Sequence, residues 1–419
     1  MCLLISMNFF KLRILSLGLI ISASSLQVFA APQCISLFED PAGKPSYRFQ
    51  NNDVSHTLSQ KVRDNHLDFN YFIKNYARTV KMQSPALYPT LAKVIQHKAW
   101  IAGDNHSGNY IVAPLKGKMH YYFTDIKDGG FGPAFYNFAN LVLNTHAVTK
   151  RTKSVKIQEV ADLLIESYLK GLKKESFAAP EPVREALQTT AAEYRKMQNE
   201  DVHRFTNASR SGFNFNKKSI QALANTSVRI AKIKSDMSSA LLATGKIKMV
   251  MDFAMRLKER GGSKDLDRYW ALVETTSGEL RIIEFKEINL PAAQVVNESG
   301  LSLRAHTEKM MDVYFPEKDP TLRPVDLDGQ LFMMRPRKID LISVPYKQKN
   351  AEQVDELLSY ARYAAYHTGL KQADTAPTLI EYIQLIETEP AAFQLLVRQL
   401  VKDYYVRLEN KVASTETNY

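Results

Sequence analysis

Cysteine is nearly absent from this chain of 419 residues, which contains only Cys2 and Cys34. Cys2 lies in an N-terminal segment that we expect to be removed, so one cysteine remains and an internal disulfide is excluded. The fold must therefore be stabilised by its hydrophobic core. An apolar content of 45% over this length suits one large two-lobed domain or two domains.

Concentrated charge is also missing, although the chain is basic. Lysine and arginine number 55 against 44 aspartate and glutamate residues, which gives a net charge of +11. The basic residues are scattered along the sequence rather than massed in one stripe, so we expect no nucleic-acid partner. A mild basic excess of this kind favours a phosphorylated or otherwise anionic ligand.

The apolar stretch near the N-terminus is too short for a typical membrane span. Lys11 and Arg13 precede or border the apolar residues 14–23, and Val28-Phe29-Ala30 is a small-x-small cleavage site. We therefore predict a signal peptide over residues 1–30 and an exported protein, periplasmic or secreted. A retained membrane anchor is the alternative, but a span needs about 20 apolar residues. No membrane span is expected after signal removal.

The order of sequence patterns predicts an α+β fold in three parts. Helical periodicity dominates residues 31–245, and strand-like alternation of β-branched, aromatic and charged residues dominates residues 246–345. Helical periodicity returns in residues 346–419. At a finer level, residues 87–100 are predicted to be helical and residues 339–344 are predicted to form a strand.

Three polar residues have the spacing of a phosphoryl-transfer site. Asp104 and Asn109 are separated by four residues, and Asp125 follows after a short predicted hairpin that should return the chain to Asn109. In that chemistry the first Asp accepts the proton of the attacking hydroxyl, while the Asn and the second Asp hold Mg²⁺. The alternative is an Asx-turn and capping pair in a polar loop.

A second group of residues has the order of a phosphate-binding lobe. Gly261, Gly262 and Ser263 form a predicted turn between strands, and Lys286 lies on a later strand. Glycines let a backbone approach phosphates closely, and a strand lysine can contact the α- and β-phosphates. Glu308, on the helix that follows, is a candidate partner of Lys286. In ordinary kinases these parts precede the catalytic loop, so either the order is permuted here or this interpretation of Lys286 is wrong.

With these residues, the chain resembles the bacterial DUF2252 family, a group similar to aminoglycoside phosphotransferase-type kinases. The resemblance covers about residues 65–410. It rests on Lys81-Met82-Gln83-Ser84-Pro85, on residues 103–110, on Asp125 with Gly132-Pro133, on Gly262-Ser263 with Tyr269 and Lys286-Glu287, and on His367-Thr368-Gly369. The family also has its catalytic loop first. The resemblance implies a two-lobed, kinase-like fold of permuted order: residues 31–245 form a helical lobe, 246–345 a β-rich nucleotide-binding lobe, and 346–419 complete the helical lobe.

Four positions depart from the family pattern. Lys127 stands in place of a second Asp, Asn137 in place of another Asp, and Arg260 and Asp265 in place of glycines. We expect a phosphotransferase that uses ATP and Mg²⁺ on an unidentified hydroxyl or amino acceptor, either a small molecule or a protein. The departures favour an alternative, a kinase-fold binding protein that has lost turnover.

A lesser alternative is a metal-dependent phosphohydrolase, because Gly-Asp-x-His also occurs in metallophosphatases. Such sites need clustered histidines to complete two metal shells. Here only His106 lies near the motif, and the nine histidines are spread along the chain. The sequence leaves the oligomeric state open.

Overall fold

The computed structural model describes residue 72 and residues 76–78, 80–82, 84–115, 117–149, 156–224, 227–257, 266–288, 299–315, 319–345, 350–376 and 379–416, without the side chains of residues 127 and 407–416. All belong to one of the two units into which the chain divides, Phe49–Tyr419. The predicted signal peptide, Cys34 and the glycine turn with Arg260, Gly261, Gly262, Ser263 and Asp265 lie outside the described residues. Those expectations stay predictions.

The described residues form a mixed α+β structure, so the predicted class is confirmed. The helices are α1 Tyr88–Val94, α2 Ala134–Thr149, α3 Ile157–Leu172, α4 Glu181–Gln188, α5 Ala191–Phe205, α6 Val228–Leu242, α7 Leu303–Tyr314, α8 Ala351–Thr375, α9 Ile380–Thr388 and α10 Pro390–Glu416. The strands are β1 Lys98–Ile101, β2 Tyr110–Leu115, β3 Lys118–Phe123, β4 Gly130–Pro133, β5 Ile220–Ala222, β6 Ile247–Arg256, β7 Arg268–Thr275, β8 Leu280–Glu287, β9 Arg323–Leu327 and β10 Gln330–Pro336. Within the part of the chain that is described, no helix combines the length and apolarity needed to cross a membrane.

The largest sheet has six strands in the order β5-β6-β7-β8-β10-β9, and all its pairings are antiparallel. It begins at Ile220, ahead of the predicted β-rich segment at residue 246. Residues 339–344 form no strand, so that prediction was wrong. Lys286 on β8 lies opposite Arg268 on β7 and Met333 on β10.

The two faces of this sheet bury different side chains, because neighbouring residues of a strand point to opposite faces. One face packs Tyr269, Phe285 and Met334 with residues of α6 such as Met237. The other face packs its apolar residues with the end of α5, in a cluster of Val202, Phe205, Phe213, Ile220, Ala254, Trp270, Leu272 and Ile282. By the alternation along β8, Lys286 shares the second face with Ile282.

A separate and larger core joins the remaining helices with the two small sheets, β1-β4 and β2-β3. Its centre is α2, where all but one of the sixteen residues are buried. Helices α3 and α8 cross at two glycines. A Cβ on Gly369 would lie 2.3 Å from the carbonyl oxygen of Tyr168, and one on Gly171 would lie 2.0 Å from that of Tyr366. The contact between the helices therefore requires glycine at both positions.

The short strand β1 replaces the second half of a predicted helix. Residues 87–100 were expected to be helical, but α1 ends at Val94 and β1 pairs with β4. The run Lys98-Ala99-Trp100-Ile101 is too short for its period to separate helix from strand, and pairing with residues 130–133 decides the outcome. Ile101 lies opposite Gly130, which brings the loop after β1 to the loop before β4.

Candidate functional site

The loop between β1 and β2 carries Asp104 and Asn109, and a glycine fixes how it packs. Gly103 has a φ of +83°, and a Cβ there would lie 1.8 Å from the carbonyl oxygen of Asp128. Asp128 ends the 3₁₀ turn Ile126–Asp128 that follows Asp125. The two loops of the predicted site therefore touch through their backbones, at a point where no side chain fits.

Asp104 and Asn109 contact each other directly. The Nδ2 of Asn109 donates to the carbonyl oxygen of Asp104 at 2.8 Å and lies 3.4 Å from its Oδ2. The Nε2 of His106 lies 3.7 Å from the same Oδ2, while its Nδ1 accepts a hydrogen bond from the backbone N–H of Gly108. Among the described residues, the buried Oδ1 of Asp104 has no hydrogen-bond partner. The loop thus orders Asp104 and leaves one of its carboxylate oxygens buried without a hydrogen bond.

Uncharged hydrogen bonds hold this loop against α2 and α8. The Oδ1 of Asn137 accepts from the N–H of Ala102 at 3.2 Å, and Asn105 donates to the carbonyl oxygen of Asn137 at 2.9 Å. Asn105 also donates to Thr368 Oγ1 at 3.0 Å, and the hydroxyl of Tyr110 lies 2.9 Å from that oxygen. An aspartate at position 137 has the same acceptor oxygen. The departure at Asn137 is therefore compatible with the position of the loop.

The hairpin β2–β3 returns the chain to Asn109, as predicted. Tyr110 lies opposite Phe123, and one residue further along, the N–H of Thr124 donates to the carbonyl oxygen of Asn109 at 2.9 Å. Asp125 comes directly after Thr124. The aromatic residues Tyr121, Tyr122 and Phe123 of β3 are buried in the core.

Asp125 and Lys286 form an ion pair, although 161 residues separate them along the chain. The Nζ of Lys286 lies 2.8 Å from Oδ1 and 3.1 Å from Oδ2 of Asp125. Only 3% of Lys286 is exposed, whereas the Asp125 side chain is 27% exposed. A buried ammonium needs a counter-ion, and this carboxylate supplies one. The contact joins the two groups of predicted site residues.

Glu308 has a different contact from the one predicted. Its carboxylate lies 3.7 Å from Arg304, one turn earlier on α7, and its side chain is 51% exposed. The carboxylate found beside Lys286 is that of Asp125, so the proposed pairing with Glu308 is corrected. Sequence reasoning overlooked this partner because it assigned Asp125 only to the metal.

Strand β8 carries a second charged group next to Lys286. The Oε2 of Glu284 accepts two hydrogen bonds from Arg335, at 2.6 and 2.8 Å, and Oε1 lies 3.5 Å from Arg268. Burial raises the pKa of Glu284, but the charges of Arg335, Arg268 and Lys286 outweigh burial and lower that pKa to about 2. The carboxylate is therefore ionised throughout the physiological range.

A cavity of about 300 Å³ lies beside this network. Its wall includes Thr124, the residue before Asp125, and Glu284. Five cationic side chains also line it: Arg256, Arg268, Arg335, Arg337 and Lys338. Sequence analysis missed the cavity. The available signal was the run Arg335-Pro336-Arg337-Lys338 at the end of a strand, which was read as ordinary scattered charge.

The described residues contain no group of three or more His, Cys, Asp or Glu side chains placed to hold a metal ion. This does not conflict with a kinase-type magnesium site, because Mg²⁺ is usually bound by one or two carboxylates together with substrate phosphates and water. Asp125 and Asn109 supply oxygen donors of that kind on adjoining loops. Asn109 and Asp125 therefore stay the predicted Mg²⁺ ligands.

Comparisons with family models, with curated proteins and with solved structures found no match. These comparisons therefore assign the chain to no family. The resemblance to the DUF2252 family and the roles of the site residues stay predictions.

Proposed function

We propose that this protein is a kinase-like phosphotransferase that moves the γ-phosphoryl group of ATP to a hydroxyl or amino acceptor. The observation that carries the proposal is the ion pair between Asp125 and Lys286. In kinases, the metal-binding aspartate and the strand lysine both act at the phosphates of the nucleotide. Two residues chosen for these roles from separate motifs lie in contact here, 161 residues apart along the chain.

The order of elements around Lys286 supports the same proposal. Strands β6, β7 and β8 form an antiparallel meander, and Lys286 lies on its third strand. The connection between β6 and β7 contains the predicted glycine turn. Helix α7 follows β8, and β9 and β10 complete the sheet. A glycine-rich loop, a lysine on the third strand and a following helix are the parts of a kinase nucleotide lobe, which here would come after the catalytic loop.

Each site residue would have a separate role in the transfer. Asp104 accepts the proton of the acceptor hydroxyl. The oxygen of that hydroxyl forms a bond to the γ-phosphorus while the bond between the γ-phosphorus and the β-phosphate oxygen breaks, so that ADP leaves. Asn109 and Asp125 would hold Mg²⁺, which when bound neutralises charge on the phosphates. When the nucleotide binds, Lys286 moves from Asp125 to contact the phosphates. The neutral hydrogen bonds that Ala102 and Asn105 donate to Asn137 keep the loop of Asp104 in place during this movement.

A transfer assay with matched variants tests the proposal. We expect Mg-ATP to raise the melting temperature of the purified chain and to label an acceptor within a panel of alcohols, amines and proteins. Asp104→Asn should reduce transfer by about 100-fold or more, with binding retained, because the loss of a general base is of this size. Lys286→Met should weaken nucleotide binding. Lys248→Met changes an exposed lysine near the opposite end of the same sheet and should alter neither. Failure of Mg-ATP to stabilise the unmodified chain would refute the proposal.

The alternative of a kinase-fold binding protein rests on one specific observation. Lys286 is engaged by Asp125, while Glu308 points its exposed carboxylate at Arg304. A kinase in its active arrangement pairs the strand lysine with a glutamate on the following helix. Stabilisation by Mg-ATP together with no transfer to any acceptor would favour this alternative.

A further inference from the structure

The cavity beside Asp125 has more positive charge than its own carboxylates neutralise. Five cationic side chains line it, against two acidic ones, Glu284 and Asp340. Glu284 is already shared between Arg335 and Arg268. Arg337 pairs outside the cavity lining, with Asp201 at 2.6 Å.

Two of the cations have no carboxylate partner within the described part of the chain. Arg256 donates to the carbonyl oxygens of Ser219 and Leu257, at 2.7 and 3.0 Å. Lys338 donates to the hydroxyl of Tyr122 and lies 4.4 Å from the centre of its ring. Neutral oxygens and aromatic rings hold these side chains in position without a carboxylate. Burial and the nearby charge of Arg335 lower the pKa of Lys338 to about 7, so an anionic ligand beside it would favour its protonated form.

The position of the cavity links it to the candidate site. Thr124 lies on its wall and is followed by Asp125, while Arg268 lies opposite Lys286 across the β7–β8 pairing. A volume of about 300 Å³ is at the lower end of the range for small-molecule sites. That space suits a compact ligand, and arginine and lysine are the side chains that bind phosphate oxygens.

We propose that this cavity binds a phosphate group next to Asp125, with Lys338 and Arg256 as the residues that attract it. The phosphate belongs either to the donor, as part of a polyphosphate chain, or to a phosphorylated acceptor. The inference deepens the proposed function and rests on it for the choice of these two sources. The excess positive charge of the cavity stands independently of any transfer reaction.

Calorimetric titration of the full chain tests the proposal, with tripolyphosphate and glucose 6-phosphate as probes and glucose as the uncharged reference. At least one phosphate probe should bind, and glucose should not. Lys338→Met should weaken that binding about tenfold or more, because a charge-assisted hydrogen bond is lost. Lys338→Arg should retain it. Asp340→Asn should strengthen it severalfold, because one negative charge leaves the cavity wall while an amide oxygen can still accept the hydrogen bond from Ile342.

Two results would overturn the proposal: no binding of either probe, or equal weakening in Lys338→Met and in the control Lys248→Met. Competition with Mg-ATP distinguishes the sources, because a donor phosphate must be displaced by nucleotide and an acceptor phosphate must bind alongside it. Asp104→Asn separates this inference from the proposed function. That variant should lose transfer and keep phosphate binding, whereas failure of the cavity would abolish phosphate binding in the unmodified chain.

Discussion

The two halves of the candidate site are held in place by different forces. The loop of Asp104 and Asn109 is fixed by neutral hydrogen bonds to the oxygens of Asn137 and Thr368, and by close backbone packing at Gly103. In the half around Lys286, the charged side chains are positioned by ion pairs with one another in a largely buried network. Neutral contacts keep their strength across pH and salt, whereas charged ones change with both. We therefore expect the loop of Asp104 to respond less to pH and salt than the charged residues around Lys286.

The largest effect is expected from a substitution that disrupts the packing of the loop of Asp104 and Asn109. Gly103→Ala places a methyl group within bonding range of the Asp128 carbonyl oxygen at a positive φ, so we expect about 3 kcal/mol or more of destabilisation. Gly117→Ala is the matched control, because Gly117 has a φ of +82° and a Cβ added there would meet no atom of the described, non-neighbouring residues within 4 Å. It should cost only about 1 kcal/mol. Urea unfolding of both variants measures the difference, and equal costs would mean that the two loops do not meet at Gly103.

The second largest effect is expected from the loss of the ion pair between Asp125 and Lys286, which joins the two halves of the site. Lys286→Met leaves Asp125 without its close counter-ion and should destabilise the protein by about 2 kcal/mol, less than for a fully buried pair because Asp125 is 27% exposed. Combining it with Asp125→Asn should cost less than the sum of the single changes. Additive costs in this double-mutant cycle would show that the pair contributes no coupling. Lys248→Met, in an exposed pair with Glu274, should change stability by less than about 0.5 kcal/mol.

The smallest expected effect sharpens the difference between the halves through pH. The folded pKa of Glu284 is about 2, below its ordinary value of 4.5. The ion pair of Glu284 with Arg335 therefore stabilises the folded state fully above about pH 4.5. This stabilisation is lost as the pH falls from 4.5 toward 2. The loss is at most about 1–2 kcal/mol by pH 3. Comparing urea unfolding of Glu284→Gln with the unmodified chain isolates it. A constant difference between the two proteins from pH 6 to pH 3 would contradict the assignment.

Sequence patterns predicted the local structure around Asp104 better than the long-range contacts. The polar loop, the hairpin and the position of Asp125 beside Asn109 follow from turn residues and strand alternation within about twenty residues of chain. Strand β1 was misread because its pairing with residues 130–133 overrides local preference. Helix α6 was predicted only as part of the helical segment 31–245, without bounds of its own.

The partner of Lys286 could not be derived from sequence for a related reason. Three glutamates, Glu284, Glu287 and Glu308, lie within reach along the sequence, and local spacing favours none of them. Glu284 pairs with Arg335, which lies opposite it in the sheet, and with Arg268. Glu287 accepts a hydrogen bond from the N–H of Asp267. Asp125, the contact that forms, is distant in the chain and close only after the fold brings the two segments together.

The separation of Asp125 and Lys286 has a consequence for synthesis. A ribosome adds roughly 5–20 residues per second, so the carboxylate emerges roughly ten to thirty seconds before its lysine partner. During that interval, the nascent helical segment can begin to pack while its acidic loop still lacks the ammonium that will face it. A chain that stops before β8 would carry Asp104, Asn109 and Asp125 without Lys286. Under the proposed function, premature termination would therefore yield an inert fragment rather than an unregulated one.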